Sequence, residues 1–183
     1  LLGYSTGGYV SMAVHHELNE NPRSFVINAS VMVAGYFDLN ISESFQIADT
    51  LYRPAWALYS PFMYDQQYQL GLMDKMVESP HREKLNDLFN GEKDASEIDK
   101  ALTPISKNLF TDAARTSFGT HSDFASFRQV LSDNSLNEVV PQSPVLFIHS
   151  KEDGAVDFEQ SVNMHAYINS HGGNASMTLL EKG

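Results

Sequence analysis

The hexapeptide Gly3-Tyr4-Ser5-Thr6-Gly7-Gly8 constrains this chain more than any other feature. It contains the pattern G-x-S-x-G, follows the apolar pair Leu1-Leu2, and leads into a helical stretch. A serine between glycines at a strand-to-helix junction belongs to a very tight turn. The backbone there is strained, and flanking glycines remove side chains that would collide. Such a turn lifts the serine hydroxyl above a sheet and points backbone N–H groups at a reacting carbonyl. Gly3 and Gly7 are the elbow glycines on this reading, and Ser5 is the exposed nucleophile.

The rest of the chain supplies the sheet. The spacing predicts a helix over 6–20, with Val10, Val14 and Leu18 on one face and Tyr9 and Ala13 beside it. Asn21-Pro22 ends it. Residues 25–35 form a nearly continuous apolar run, which suits a strand buried on both faces of a parallel sheet. The next clear strand, 145–149, follows Pro141 and Pro144. Between Asp38 and Pro144 lie 105 residues, whereas a parallel crossover needs only about a dozen. The excess reads as an insertion with helices over 44–58, 64–77, 81–89, 96–102 and 122–131, broken at Pro61, Pro80, Gly91, Pro104 and Gly119. Its first part is aromatic, with Phe45, Tyr52, Trp56, Tyr59, Phe62, Tyr64 and Tyr68. A helix over 158–170, with Val162, Ala166 and Ile168 as core contacts, is capped by Gly172-Gly173 and followed by a strand over 177–180. The expected architecture is α/β: a partial, mostly parallel sheet with flanking helices over 1–38 and 141–183, and an inserted helical cap over 39–140.

A serine hydroxyl is a weak nucleophile until a base takes its proton, and an acid must hold that base in the right tautomer. The acid candidate is Asp153, in the stretch from His149 to Val156 that follows an apolar strand. Functional groups of open α/β sheets gather at the strands' C-terminal ends, and Ser5 lies at the same edge. Asp38 is the alternative acid, because it too follows a strand, although such an aspartate is more often a turn or cap residue.

The motif and the acid stretch together resemble the α/β-hydrolases. Gly3-Tyr4-Ser5-Thr6-Gly7-Gly8 is similar to their nucleophile elbow. The stretch from His149 to Val156 is similar to the segment around their catalytic acid, a histidine four residues before an aspartate soon followed by valine. The resemblance implies Ser5 as nucleophile, Asp153 as acid and the Thr6 N–H as an oxyanion donor. It implies acyl-ester hydrolysis with no cofactor, on a small-molecule ester that could be a lipid. The insertion resembles the lid of lipases and esterases by position. Tyr4, Tyr36, Phe37 and Trp56 are then candidates for the pocket wall. The family's histidine follows a segment such as Leu179–Gly183, and a loop before the elbow supplies the second oxyanion donor, so both are expected outside these 183 residues. A prolyl-oligopeptidase-type peptidase shares the fold and triad. A non-catalytic remnant that binds a partner is the reading from another class, with self-association through the sheet edge near Leu1-Leu2.

Other patterns carry less. A net charge of −11, from 23 acidic and 12 basic residues, argues against nucleic acid and anionic membranes. The absence of cysteine excludes thiolate chemistry and cysteine-ligated zinc and leaves the compartment open. His15 and His16 read as partly exposed helix residues, and His16-Glu17-Leu18-Asn19-Glu20 lacks the second histidine of a zinc site. His149 ends a strand and is expected to pack against or bond its neighbouring turn. His165 and His171 precede the last strand, out of order for the base, and His81 and His121 fall in the insertion. Ser132-Asp133-Asn134, without an S-x-x-K, and the sequons at Asn28, Asn40 and Asn174 read as chance.

Overall fold

The computed structural model describes residues 1–42 and 49–182. The start of the helix expected over 44–58, with Phe45, lies outside the described residues. The elements run Leu2–Tyr4 (β1), Thr6–Glu20 (α1), Ser30–Val33 (β2) and Leu39–Ser42 (α2). Then come Pro54–Tyr68 (α3), Met73–Met76 (α4), Leu85–Leu88 (α5), Ala95–Ala101 (α6), Ser106–Leu109 (α7), Asp112–Ser117 (α8) and Ala125–Asp133 (α9). Val145–Ser150 (β3), Glu159–Ser170 (α10) and Ala175–Leu180 (β4) complete the chain. Two compact units result, residues 1–42 with 134–183 and residues 43–133. Their limits fall inside the boundaries expected at 39 and 140, because Leu136 and Val139 pack into the core of the first unit.

In the first unit four strands pair in parallel, in the order β1-β2-β3-β4. Every strand therefore ends at the same edge. The core holds Met12 of α1, Met32 of β2, Phe37, Phe147 of β3, and Met164 and Ile168 of α10. Phe37 and Phe147 meet edge to face at 5.6 Å, the arrangement that ring quadrupoles favour. Each such side chain contributes about 1.5–3 kcal/mol by leaving water.

Three sequence expectations change here. The apolar run over 25–35 gives a strand only at Ser30–Val33. Phe25 and Val26 are exposed, and the hydrogen bonds to the first strand reach back no further than Ala29, whose carbonyl accepts from the Leu1 nitrogen at 2.9 Å. Helix α1 turns Gly8, Ser11, Met12 and His15 inward, not the face of Val10, Val14 and Leu18. At its start the helix lies so close to the sheet that only glycine fits: a Cβ on Gly8 would sit 2.9 Å from the Gly35 Cα. The second apolar face instead lines a groove with Phe25. On α10, Met164 takes the core position expected for Ala166, which is exposed.

The second unit is helical. Pro61, expected to break the chain, lies inside α3. A proline there removes one helical hydrogen bond, at about 3 kcal/mol, and burial of Leu58, Pro61 and Phe62 on the same helix offsets that. The break comes instead at Gln69, in the left-handed region at φ 54°, and Gly71 at φ 61°. The buried Asp65 carboxylate then accepts the Leu72 and Met73 amides at 2.8 and 3.0 Å, capping the start of α4. Helix α6 begins with a capping box: Asp94 accepts from the Glu97 amide and Glu97 from the Asp94 amide, each at 2.9 Å. Helices α7 and α8 were not expected from the sequence. No helix among the described residues is long and apolar enough to cross a membrane.

Candidate active site

Ser5 stands between β1 and α1 at φ 53° and ψ −120°. A side-chain-bearing residue rarely adopts this region, and where one does, neighbouring structure must impose it. The imposing contacts are clear. The Ser5 amide donates to the Val33 carbonyl at 2.8 Å, and its carbonyl accepts from the Gly8 amide at 2.8 Å. The turn is as tight as the motif predicts, with one correction. A Cβ on Gly3 would lie 2.0 Å from the Gly7 carbonyl oxygen, so Gly3 is sterically required, whereas a Cβ on Gly7 would meet nothing within 4 Å. The close approaches belong to Gly3 and Gly8.

Ser5 is also the N-cap of α1, yet its hydroxyl makes no capping hydrogen bond. It is half-buried. Thr6, as the first helical residue, has an N–H with no intrahelical acceptor, and the first turn of α1 carries no acidic residue. The start of this 15-residue helix thus offers positive potential beside the hydroxyl. The Tyr36 hydroxyl donates to Thr6 Oγ1 at 3.2 Å, and the Tyr36 ring stacks on Tyr9 at 5.5 Å. Tyr4 is 72% exposed beside Ser5.

Asp153 follows β3 at the same edge of the sheet. Its Oδ1 accepts the Ala155 and Val156 amides at 2.8 and 3.0 Å. Its side chain is 19% exposed, and Oδ2 lies 3.5 Å from His149 Nε2. With β2 between β1 and β3, the Ser5 and Asp153 loops stand two strand spacings apart, about 10 Å.

Asp38 follows β2 and behaves as a turn residue. Its Oδ1 accepts the Asn40 amide at 3.0 Å and its Oδ2 the Asn137 side-chain amide at 3.4 Å. Gln160, buried on α10, fixes this loop by accepting the Phe37 and Asp38 amides, each at 2.9 Å, and donating to the Asp38 carbonyl at 2.8 Å. Sequence reasoning missed Gln160. Its signal was a polar residue on the face of α10 that the sheet covers.

Two further expectations are corrected. Phe37 does not line a pocket, because it is wholly buried in the sheet core against Phe147. His15 is not partly exposed: it is buried, with Nε2 2.7 Å from Ser30 Oγ. Burial holds its pKa below the ordinary histidine value. Trp56 belongs to the second unit, where it is half-exposed and carries the Arg53 guanidinium over its ring at 5.0 Å. Among the described residues, no three histidine, aspartate or glutamate side chains gather to hold a metal ion.

No protein-family model and no curated protein sequence matches this chain. Solved structures do. The rice cell wall degrading esterase LipA from Xanthomonas oryzae aligns with a TM-score of 0.80 at 24% identity, over 100% of this chain and 50% of that one. A Legionella pneumophila structure assigned as a hydrolase aligns at 0.82 and 17% identity, covering 100% and 49%. Candida antarctica lipase A aligns at 0.75 and 13% identity, covering 100% and 43%. The fold is therefore that of the α/β-hydrolases, and the chain spans about half the length of the solved structures it matches.

Proposed function

We propose that this chain carries the nucleophile and the acid of a serine esterase. Ser5 attacks the ester carbonyl, the Thr6 N–H bonds the developing oxyanion, and Asp153 orients a histidine supplied from outside these residues. The observation that carries the reading is the conformation of Ser5: a strained, glycine-flanked serine whose hydroxyl does not cap its helix, at the strand edge that Asp153 shares. An imidazole bonded at both nitrogens is of the size that bridges such a pair. The oxyanion donor would contribute about 2.7–4 kcal/mol to the transition state.

His149 is not that base. Its side chain is fully buried and its second nitrogen faces Ser161, not Ser5. Solved structures similar to the chain include an esterase and a lipase, which supports an ester as the substrate. The helical unit over residues 43–133, placed by chain order between two strands of one sheet, takes the part of a substrate-selecting cap. In the full-length protein, Ser5→Ala should abolish turnover of p-nitrophenyl esters and labelling by a fluorophosphonate probe. Wild-type turnover by that variant would refute the assignment.

A further inference from the structure

The Asp153 carboxylate is held from two sides, and one side is a histidine that the reaction itself does not use. His149 lies in β3 with no exposed side-chain surface. Its Nε2 lies 3.1 Å from the Val156 carbonyl. A carbonyl only accepts, so Nε2 carries a proton. When the ring is neutral, Nδ1 is the acceptor and Ser161 Oγ of α10, 2.8 Å away, the donor. Two partners from different elements thus impose a single tautomer.

Asp153 Oδ2 lies 3.5 Å from the same Nε2. That is too long for a full hydrogen bond, so His149 reaches the acid loop through the Val156 carbonyl and approaches Oδ2 only closely. The geometry makes a clasp. The Val156 amide and the Ala155 amide occupy Oδ1, and the Val156 carbonyl is pinned by His149. The turn over 153–156 is closed from within, and Oδ2 is left as the oxygen that can meet a catalytic imidazole.

We propose that His149, locked by Ser161, is a positioning residue that aims the Asp153 carboxylate; this rests on the reading of Ser5 and Asp153 given above. It assigns the buried histidine of this stretch a role in the geometry of the acid and not in proton transfer to Ser5. A purely structural histidine would stabilise β3 as a whole. A positioning histidine acts on the turn over 153–156.

Amide exchange of this chain, followed by NMR, separates the two. In His149→Phe, which fills the space without a donor, the Ala155 and Val156 amides should exchange about tenfold faster. The Phe147 amide in mid-strand should be unchanged. His149→Gln, which keeps a donor near the Nε2 position, should restore most of the protection. In Ser161→Ala the ring nitrogens should lose the single Nε2–H signature in long-range 15N spectra. In the full-length protein, His149→Phe should lower kcat for p-nitrophenyl butyrate by about ten- to a hundredfold, the scale of misplaced catalytic groups, with KM within about twofold. His149→Gln should recover it.

Unchanged Ala155 and Val156 exchange would overturn the proposal. So would equal loosening of Phe147, or equal loss of kcat in the Phe and Gln variants. A wild-type protein without esterase turnover, but with the predicted exchange pattern, would refute the esterase reading and leave the positioning of Asp153 supported.

Discussion

The elbow makes opposite predictions for the same substitution at two neighbouring glycines. At Gly3, an added Cβ lies 2.0 Å from the Gly7 carbonyl oxygen and 2.3 Å from its carbon. Reaching even a 3.0 Å separation moves backbone by about 1 Å, and no flexible side chain can yield instead. That carbonyl also accepts the Ser11 hydroxyl at 2.8 Å, which the shift would break. Overpacking of this kind costs 3 kcal/mol or more, at the upper end of about 1–3 kcal/mol for added methylenes. At Gly7, an added Cβ meets nothing within 4 Å and φ is not positive. Replacing glycine by alanine in a helix then stabilises by up to about 1 kcal/mol, less near the first turn. For a chain of this size each kcal/mol moves Tm by about 2–4 °C. Gly3→Ala should therefore lower the Tm of the sheet unit by about 6 °C or more, and Gly7→Ala should raise it by about 1–4 °C. Trp56 is the single tryptophan and belongs to the helical unit, so its fluorescence reports the wrong part. Exchange of the Met32 and Phe147 amides follows the sheet directly. Equal stability of Gly3→Ala and wild type, or equal loss in both variants, would refute this account of the elbow.

Two further outcomes can be checked on the same protein. Because His15 keeps its proton off in the fold, its pKa lies below 6.5 there. The unfolded chain binds that proton first, so stability is lost as pH falls through 6.5 towards the folded value. Urea midpoints at about pH 7.5 and 5.5 should differ less in His15→Gln, which can still bond Ser30; an unchanged slope would exclude His15 as the cause. β1 is the edge strand among the described residues, and Leu2 is 76% exposed on it. If this edge recruits a second copy, sedimentation velocity should show concentration-dependent association that Leu2→Lys suppresses, since an edge lysine blocks strand pairing. A wild-type chain that stays monomeric at all concentrations would sink that reading.

Much of the fold and of the site was legible in the residues. The tight serine turn, the helix over 6–20, the strands near 145 and 177 and the helix between them follow from local chemistry: glycine sterics, apolar run lengths and helix stops. So did the placement of Ser5 and Asp153 at one edge, since parallel strands all end there. The capping box at Asp94 shows the same economy within the helical unit. These are properties of a few adjacent residues, and adjacent residues are what a sequence displays.

The tertiary structure decided what depends on distant partners. It chose Gly8, Ser11, Met12 and His15 over the more apolar face of α1, because the close approach to Gly35 requires glycine at position 8 and that fixes which face turns inward. It carried α3 through Pro61, because burial along that helix outweighs one lost hydrogen bond. It shortened the apolar run over 25–35 to four strand residues, where β1 and β3 are present to pair. It also added to the bond that His149 makes with its neighbouring turn a second one, to Ser161 twelve residues away. Burial and hydrogen-bond satisfaction are sums over neighbours that the chain order does not reveal, so these outcomes had to await the fold.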